Sequence, residues 1–128
     1  MAHATADIGT SNYTVALLAG DHALTSDEGA ALGGSNLGAA PHELLCAALA
    51  ACTAITLRMY AVRKAWPLEG VHVEVDLRIE EQRRLIRRRL RLRGGLDETQ
   101  RARLADIAER TPVTLTLRQG ATITTILE

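Results

Sequence analysis

The stretch Leu44-Leu45-Cys46-Ala47-Ala48-Leu49-Ala50-Ala51-Cys52-Thr53-Ala54-Ile55 carries no charge on any side. Nothing between residues 42 and about 65 breaks a helix. Pro41 stands where helices start, because the N–H it lacks is not needed there. The predicted helix is about 36 Å long at 1.5 Å per residue. A helix that is apolar all round has to be covered on every side. The chain has 128 residues, which suits one domain spanning residues 1–128. With no Phe, one Trp and two Tyr, the covering material is Ala, Leu, Val and Ile. A small sheet and one further helix cover only part of such a rod. The shortage predicts burial in a homodimer, where the many alanines let a partner helix approach closely.

The rest of the chain reads as strands and one more helix. Residues 13–19 and 23–26 flank Gly20-Asp21-His22, a hairpin turn. Residues 27–40 are rich in Gly, Ala, Ser and Asn and read as a loop, with Gly33-Gly34 an ordinary loop dipeptide. Val71, Val73, Val75, Leu77 and Ile79 alternate with His72, Glu74, Asp76, Arg78 and Glu80, as in a half-buried strand. Ile86, Leu90 and Leu92 continue the pattern on a second strand, which Gly94-Gly95 ends. Asp97 with Gln100 resembles a capping box and opens a helix through Arg110, which Pro112 closes by disfavouring a helical Thr111. Residues 121–127 read as a final strand. This order predicts an α+β fold rather than a doubly wound parallel sheet.

Arg83, Arg84, Arg87, Arg88, Arg89, Arg91 and Arg93 make the most conspicuous charge cluster. Matching the apolar faces of the two strands sets Ile79 opposite Ile86, Glu74 against Arg91 and Asp76 against Arg89. The basic run then reads as a solvated sheet face with acidic neighbours across it. Arg88 falls on the apolar side, where this register gives it no partner. Fifteen basic residues balance fifteen acidic ones, and aromatic residues for stacking bases are scarce, so nucleic acid is not an expected partner. Residues 44–57 form an apolar run of about 14, short of the roughly 20 that a bilayer span needs. Residues 1–9 lack the basic start and apolar core of a secretory leader, so a cytoplasmic protein with reduced thiols is the expectation.

Cys46 and Cys52 cannot bond to each other on a regular helix. Six residues separate them by about 9 Å along the axis, whereas a disulfide needs Cα atoms within about 7 Å. Read alone, each is a small buried hydrophobe. A reactive thiol needs a cation, a histidine or a helix N-terminus beside it. Cys52 lies mid-helix, so such help has to come from residues distant in sequence. His3, His22, His42 and His72 have no ligand spacing, and no dinucleotide, phosphate-loop or nucleophile-elbow motif occurs, so neither metal nor cofactor is expected.

Taken together, Gly33-Gly34, Pro41-His42-Glu43-Leu44-Leu45 and Ala47-Ala48-Leu49-Ala50-Ala51-Cys52, followed by Ile107-Ala108-Glu109-Arg110-Thr111-Pro112-Val113, resemble the OsmC/Ohr family. The likeness runs from about residue 27 to the C-terminus. It implies an intertwined homodimer with two antiparallel sheets around long central helices. It further implies thiol peroxidase chemistry on organic hydroperoxides. In the family a helix cysteine attacks the peroxide and a second cysteine just before Pro-Val resolves the sulfenic acid. A loop arginine and a glutamate after the helix-initial proline activate the first thiol. Carried onto this chain, Cys52 stands at the attacking position, Thr111 at the resolving position and His42 at the glutamate position. Residues 27–40 contain no arginine.

Two readings of function follow. In one, the chain is an OsmC-like redox and stress-response protein whose Cys52 reduces a small hydroperoxide and is resolved by an external thiol or by Cys46 of the other subunit. In the other, it is a non-catalytic dimeric module holding a small apolar ligand in a helix-lined cavity. A redox sensor without turnover is a third option.

Overall fold

The computed structural model describes residues 1–128. The chain is α+β, with two antiparallel sheets and three helices. Contacts within the chain divide it into two compact units, Met1–Leu45 and Cys46–Glu128.

The first unit holds a three-stranded sheet in the order β1 (Ala4–Asp7), β2 (Val15–Ala19), β3 (His22–Ser26). The expected hairpin forms, closing Ala19 opposite His22 with Gly20 at φ 59°. The added β1 lies at residues that alternation left unread. Loop 27–40 is ordered around one buried carboxylate. Asp27, only 2% exposed, accepts hydrogen bonds from the backbone N–H groups of Tyr13, Glu28, Ser35 and Leu37 and from the Thr14 hydroxyl. Gly33-Gly34 is more than a loop dipeptide. Gly33 has φ 88°, and a Cβ on Gly34 would collide with the Glu28 carbonyl.

Helix α1 (Pro41–Lys64) starts at Pro41 as expected, with the Glu43 carboxylate accepting from the Ala40 N–H at 2.9 Å. It ends where Ala65 takes φ 56° and the Trp66 N–H bonds back to the Ala61 carbonyl, one residue before Pro67. Within the second unit, Leu49, Thr53, Leu57 and Ala61 form its buried stripe. Leu57 and Ala61 make a core with Leu68, Leu104 and Ala108, rimmed by Tyr60, Trp66, Val71, Leu90 and Leu92. By length and composition the whole helix is long and apolar enough to cross a membrane, more than its central run alone suggests. The core helix of a soluble protein meets the same criterion. Ile55, Met59 and Val62 on α1 remain exposed.

Strands β4 (Leu68–Glu80) and β5 (Arg83–Gly94) pair two residues out of the expected register. Leu77, not Ile79, faces Ile86, while Glu74 faces Arg89 and Asp76 faces Arg87. The cause is the turn. Glu81 and Gln82 both adopt positive φ, 49° and 65°, and close the hairpin in two residues with Glu80 opposite Arg83. Such a turn matches the right-handed twist of the strands. A shift of two preserves which side chains share a face. The acidic partners still meet arginines, in the Arg89–Glu74 and Arg87–Asp76 ion pairs at 3.0 and 3.6 Å. Arg88 still points to the apolar side, opposite Val75.

Helix α2 (Glu98–Ala108) opens on the expected capping box of Asp97 and Gln100. Thr111 is extended, as the following proline requires. Residues 121–127 then differ from expectation, because they form no strand. A helix the sequence reading omitted, α3 (Pro112–Gln119), precedes them. Residues 121–128 find no strand to pair with within the chain, and Ile123, Ile126 and Leu127 lie exposed.

Burial pushes the Asp27 carboxyl upward, but the N–H donors of Leu37, Glu28, Tyr13 and Ser35 outweigh it and hold the group below its ordinary value of 3.8. Its stabilising effect is therefore complete above that value and disappears as pH falls through the lower folded-state value. Hydrogen exchange at the Ser35 and Leu37 amides is expected to lose protection over that acidic window. In Asp27→Asn the same amides are expected to be weakly protected at every pH.

Candidate functional site

Cys52 is half-buried on α1, on the flank of the stripe that packs into the core. Its neighbour is the start of α3. The N–H of Val113, the second residue of that helix, donates to the Cys52 sulfur at 3.5 Å. The first amides of a helix have no partner inside it and carry partial positive charge. A mid-helix cysteine thus meets the N-terminus of a different helix.

Thr111, at the position where the resemblance implies a resolving cysteine, is fully buried and caps α3. Its hydroxyl oxygen accepts from the Thr114 N–H at 3.3 Å and lies 2.6 Å from the Thr114 hydroxyl. The Thr114 hydroxyl donates to the Ala108 carbonyl at 3.3 Å, so Thr111 is the donor between the two hydroxyls. No disulfide is possible at a threonine, and both cysteines are free.

Arg88 reaches this place from β5. One of its terminal nitrogens, Nη1, donates to the Thr53 hydroxyl at 3.0 Å and to the Thr114 hydroxyl at 2.9 Å. The Thr53 hydroxyl donates in turn to the Leu49 carbonyl at 2.7 Å, so its oxygen is free to accept. The other terminal nitrogen lies 3.6 Å from the Glu109 carboxylate. Arg88 is 12% exposed at its side chain and Glu109 53%. Glu109 also pairs with Arg118 of α3. Burial draws the Arg88 pKa below the ordinary guanidinium value. Glu109 opposes that effect, Arg118 adds to it, and Cys52 opposes it. The guanidinium stays charged. Beside it opens a cavity of ≈ 230 Å³ lined by Leu49, Ile86, Leu117, Arg88, Glu109 and Arg118 among others.

Of the sequence-derived candidates, the structure joins Cys52 to the α3 start that Thr111 caps. His42 sits exposed in the first turn of α1 and takes no part in these hydrogen bonds. Cys46 is half-buried and separate from them. Arg58 donates to the Leu68 carbonyl, and Arg63 and Lys64 are exposed at the helix end. Arg88, Glu109 and Thr114 were not selected from sequence. A charged residue at an inward position of an alternating strand was the one available signal for Arg88. The cue for α3 was Thr111-Pro112 read as a start, a capping residue followed by the proline that suits the first turn.

Residues 33–126 match the family model described as OsmC-like protein. The sequence matches no curated protein. Among solved structures the chain is similar to an organic hydroperoxide resistance protein OsmC from Legionella pneumophila, at 25% identity and TM-score 0.62 over 92% of this chain and 89% of that one. The organic hydroperoxide resistance protein OhrB of Bacillus subtilis is 23% identical, with TM-score 0.63 over 92% and 90%. An OsmC-like protein from Mycoplasma pneumoniae is 18% identical, with TM-score 0.79 over 92% and 87%.

Thr111→Ala is expected to destabilise the fold by about 0.5–2 kcal/mol, the usual cost of losing a helix cap. Urea unfolding measures it. Thr111→Ser keeps the oxygen and is expected to recover most of the loss.

Proposed function

The chain belongs to the OsmC-like family, and we propose that it is a redox and stress-response protein in which Cys52 reduces organic hydroperoxides. The observation that carries this reading is the Val113 N–H directed at the Cys52 sulfur from the start of α3. It supplies a fixed donor for a thiolate, the form of cysteine that attacks peroxides. The thiolate sulfur forms a bond to the outer peroxide oxygen as the O–O bond breaks. The departing alkoxide takes up a proton and leaves as an alcohol, and the sulfur is oxidised to a sulfenic acid.

Thr111 excludes the usual second step. Resolution in this reading falls to a thiol outside the chain, either an external thiol or Cys46 of the other subunit, which condenses with the sulfenic acid, releases water and leaves a disulfide. A second equivalent of thiol reduces that disulfide and restores Cys52. The protein acts as a homodimer in this reading. Ile55, Met59 and Val62 form an apolar strip on α1 that water otherwise covers, and Ile123, Ile126 and Leu127 are exposed as well.

The cavity beside Arg88 favours the second reading, a non-catalytic module for a small ligand. Its apolar side chains, Leu49, Ile86 and Leu117, and its charged ones suit a molecule with both characters.

Consumption of cumene hydroperoxide with a dithiol reductant separates the readings. Wild type and Cys46→Ser are expected to turn over alike, and Cys52→Ser not at all. Equally negligible rates for wild type and Cys52→Ser would sink the peroxidase reading. In sedimentation the wild type is expected to run as a dimer, and Ile55→Asp with Met59→Glu to shift it toward monomer.

A further inference from the structure

The Cys52–Val113 contact joins two helices, and one side chain holds the residue next to each. Thr53 follows Cys52 on α1, and Thr114 follows Val113 on α3. Arg88 donates to both hydroxyls from a single nitrogen, at 3.0 and 2.9 Å. The two N–H bonds of that nitrogen diverge in a fixed plane, so they set the separation of the two helices as well as linking them. The guanidinium is nearly buried, and its one carboxylate partner, Glu109, is at 3.6 Å, half exposed and shared with Arg118. A largely desolvated cation with a distant, divided counter-charge favours any further anion that forms beside it.

We infer that Arg88 is the positioning residue for Cys52, holding α1 and α3 at thiol-to-amide distance and stabilising the thiolate that forms there. The inference rests on the reading of Cys52 as the reacting thiol. It assigns to a strand residue the cationic role that the arginine-free loop 27–40 does not fill. It also explains a charge on the apolar face of β5, where an isolated ion is costly unless it is hydrogen-bonded and paired. The charges that act on Arg88 are Glu109 after α2, Arg118 from α3 and the Cys52 sulfur, while α1 brings none closer in sequence to Cys52 than Arg58. Glu109 and the thiolate are therefore competitors for the same guanidinium.

The competition makes opposite predictions for two substitutions. The test is the pH dependence of Cys52 alkylation by iodoacetamide in full-length protein carrying Cys46→Ser, with unfolding followed in parallel. Arg88→Gln is expected to move the rising part of the profile up by roughly one to three pH units, the range an adjacent opposite charge commands. At a pH on the rising part of the wild-type profile the rate then falls about tenfold or more, while the limiting rate at high pH is unchanged. Arg88→Lys is expected to recover part of the shift, since it restores charge without the fork. Glu109→Gln is expected to move the profile down, because Arg88 is then left to the thiolate alone. That carboxylate is half exposed, so this variant keeps the test open if Arg88→Gln fails to fold.

Coincident profiles for wild type, Arg88→Gln and Glu109→Gln would overturn the inference. So would a lower limiting rate with no change in midpoint, which reports altered access to the thiol. If Arg88→Gln does not fold, an unmoved profile in Glu109→Gln overturns it. Peroxide turnover by wild type and not by Cys52→Ser, together with coincident profiles, leaves the functional reading standing and removes Arg88. Shifted profiles without turnover do the reverse.

Discussion

A largely buried arginine side chain on an apolar strand face sets a requirement that the surrounding chain has to meet. Arg88 cannot shed its charge, and an unpaired ion in that position is costly. Three separate segments answer it, with Thr53 from α1, Thr114 from α3 and Glu109 from the end of α2. Every one of them is polar and lies where an otherwise apolar pattern would place a hydrophobic residue or a bare turn. Thr53 is part of the buried stripe of α1 between Leu49 and Leu57. Buried hydroxyls that donate to a backbone carbonyl and accept from a guanidinium leave no polar atom unsatisfied, and none is left here.

That network also explains the use made of position 111. A cysteine there would serve a disulfide, whereas threonine serves a helix. By capping α3 and donating to Thr114, Thr111 fixes the hydroxyl that Arg88 engages and aims the Val113 amide at Cys52. The chain has a cysteine on the central helix and, where a second would stand, a threonine that holds an amide against it. Fixed dipoles need no rearrangement when charge develops, which is the general advantage of a preorganised site.

The remaining surface of α1 sets a different constraint. Four residues spaced four apart supply its buried stripe, and the apolar residues between them stay open to water. Helix propensity and an apolar composition make the rod. They do not choose which sides of it one chain can cover.

Much of the architecture was legible along the chain. Pro41, the alternation around Val71–Ile79, the Asp97–Gln100 box and the extended Thr111 all depend on neighbours within a few residues, and all appear as read. A contact to Cys52 from a residue distant in sequence, the Val113 amide, also appears. Contacts across the fold decided the rest. The hairpin register depended on Glu81 and Gln82 both accepting left-handed backbone, which strand alternation cannot reveal because a two-residue slip keeps every face. Helix α3 was hidden because Val113-Thr114-Leu115-Thr116-Leu117 alternates like a strand, and only its cap and its packing make it helical. Glu109 and Thr114 had no local pattern, and Arg88 had only its place on the apolar side of an alternating strand, which names no partner. By itself the sequence determined the helix and the family, because those are written in periodicity and spacing. Which amide would stand beside Cys52, and which charge would hold the neighbouring Thr53, was decided only by the tertiary structure, because polar partners are chosen by distance in space.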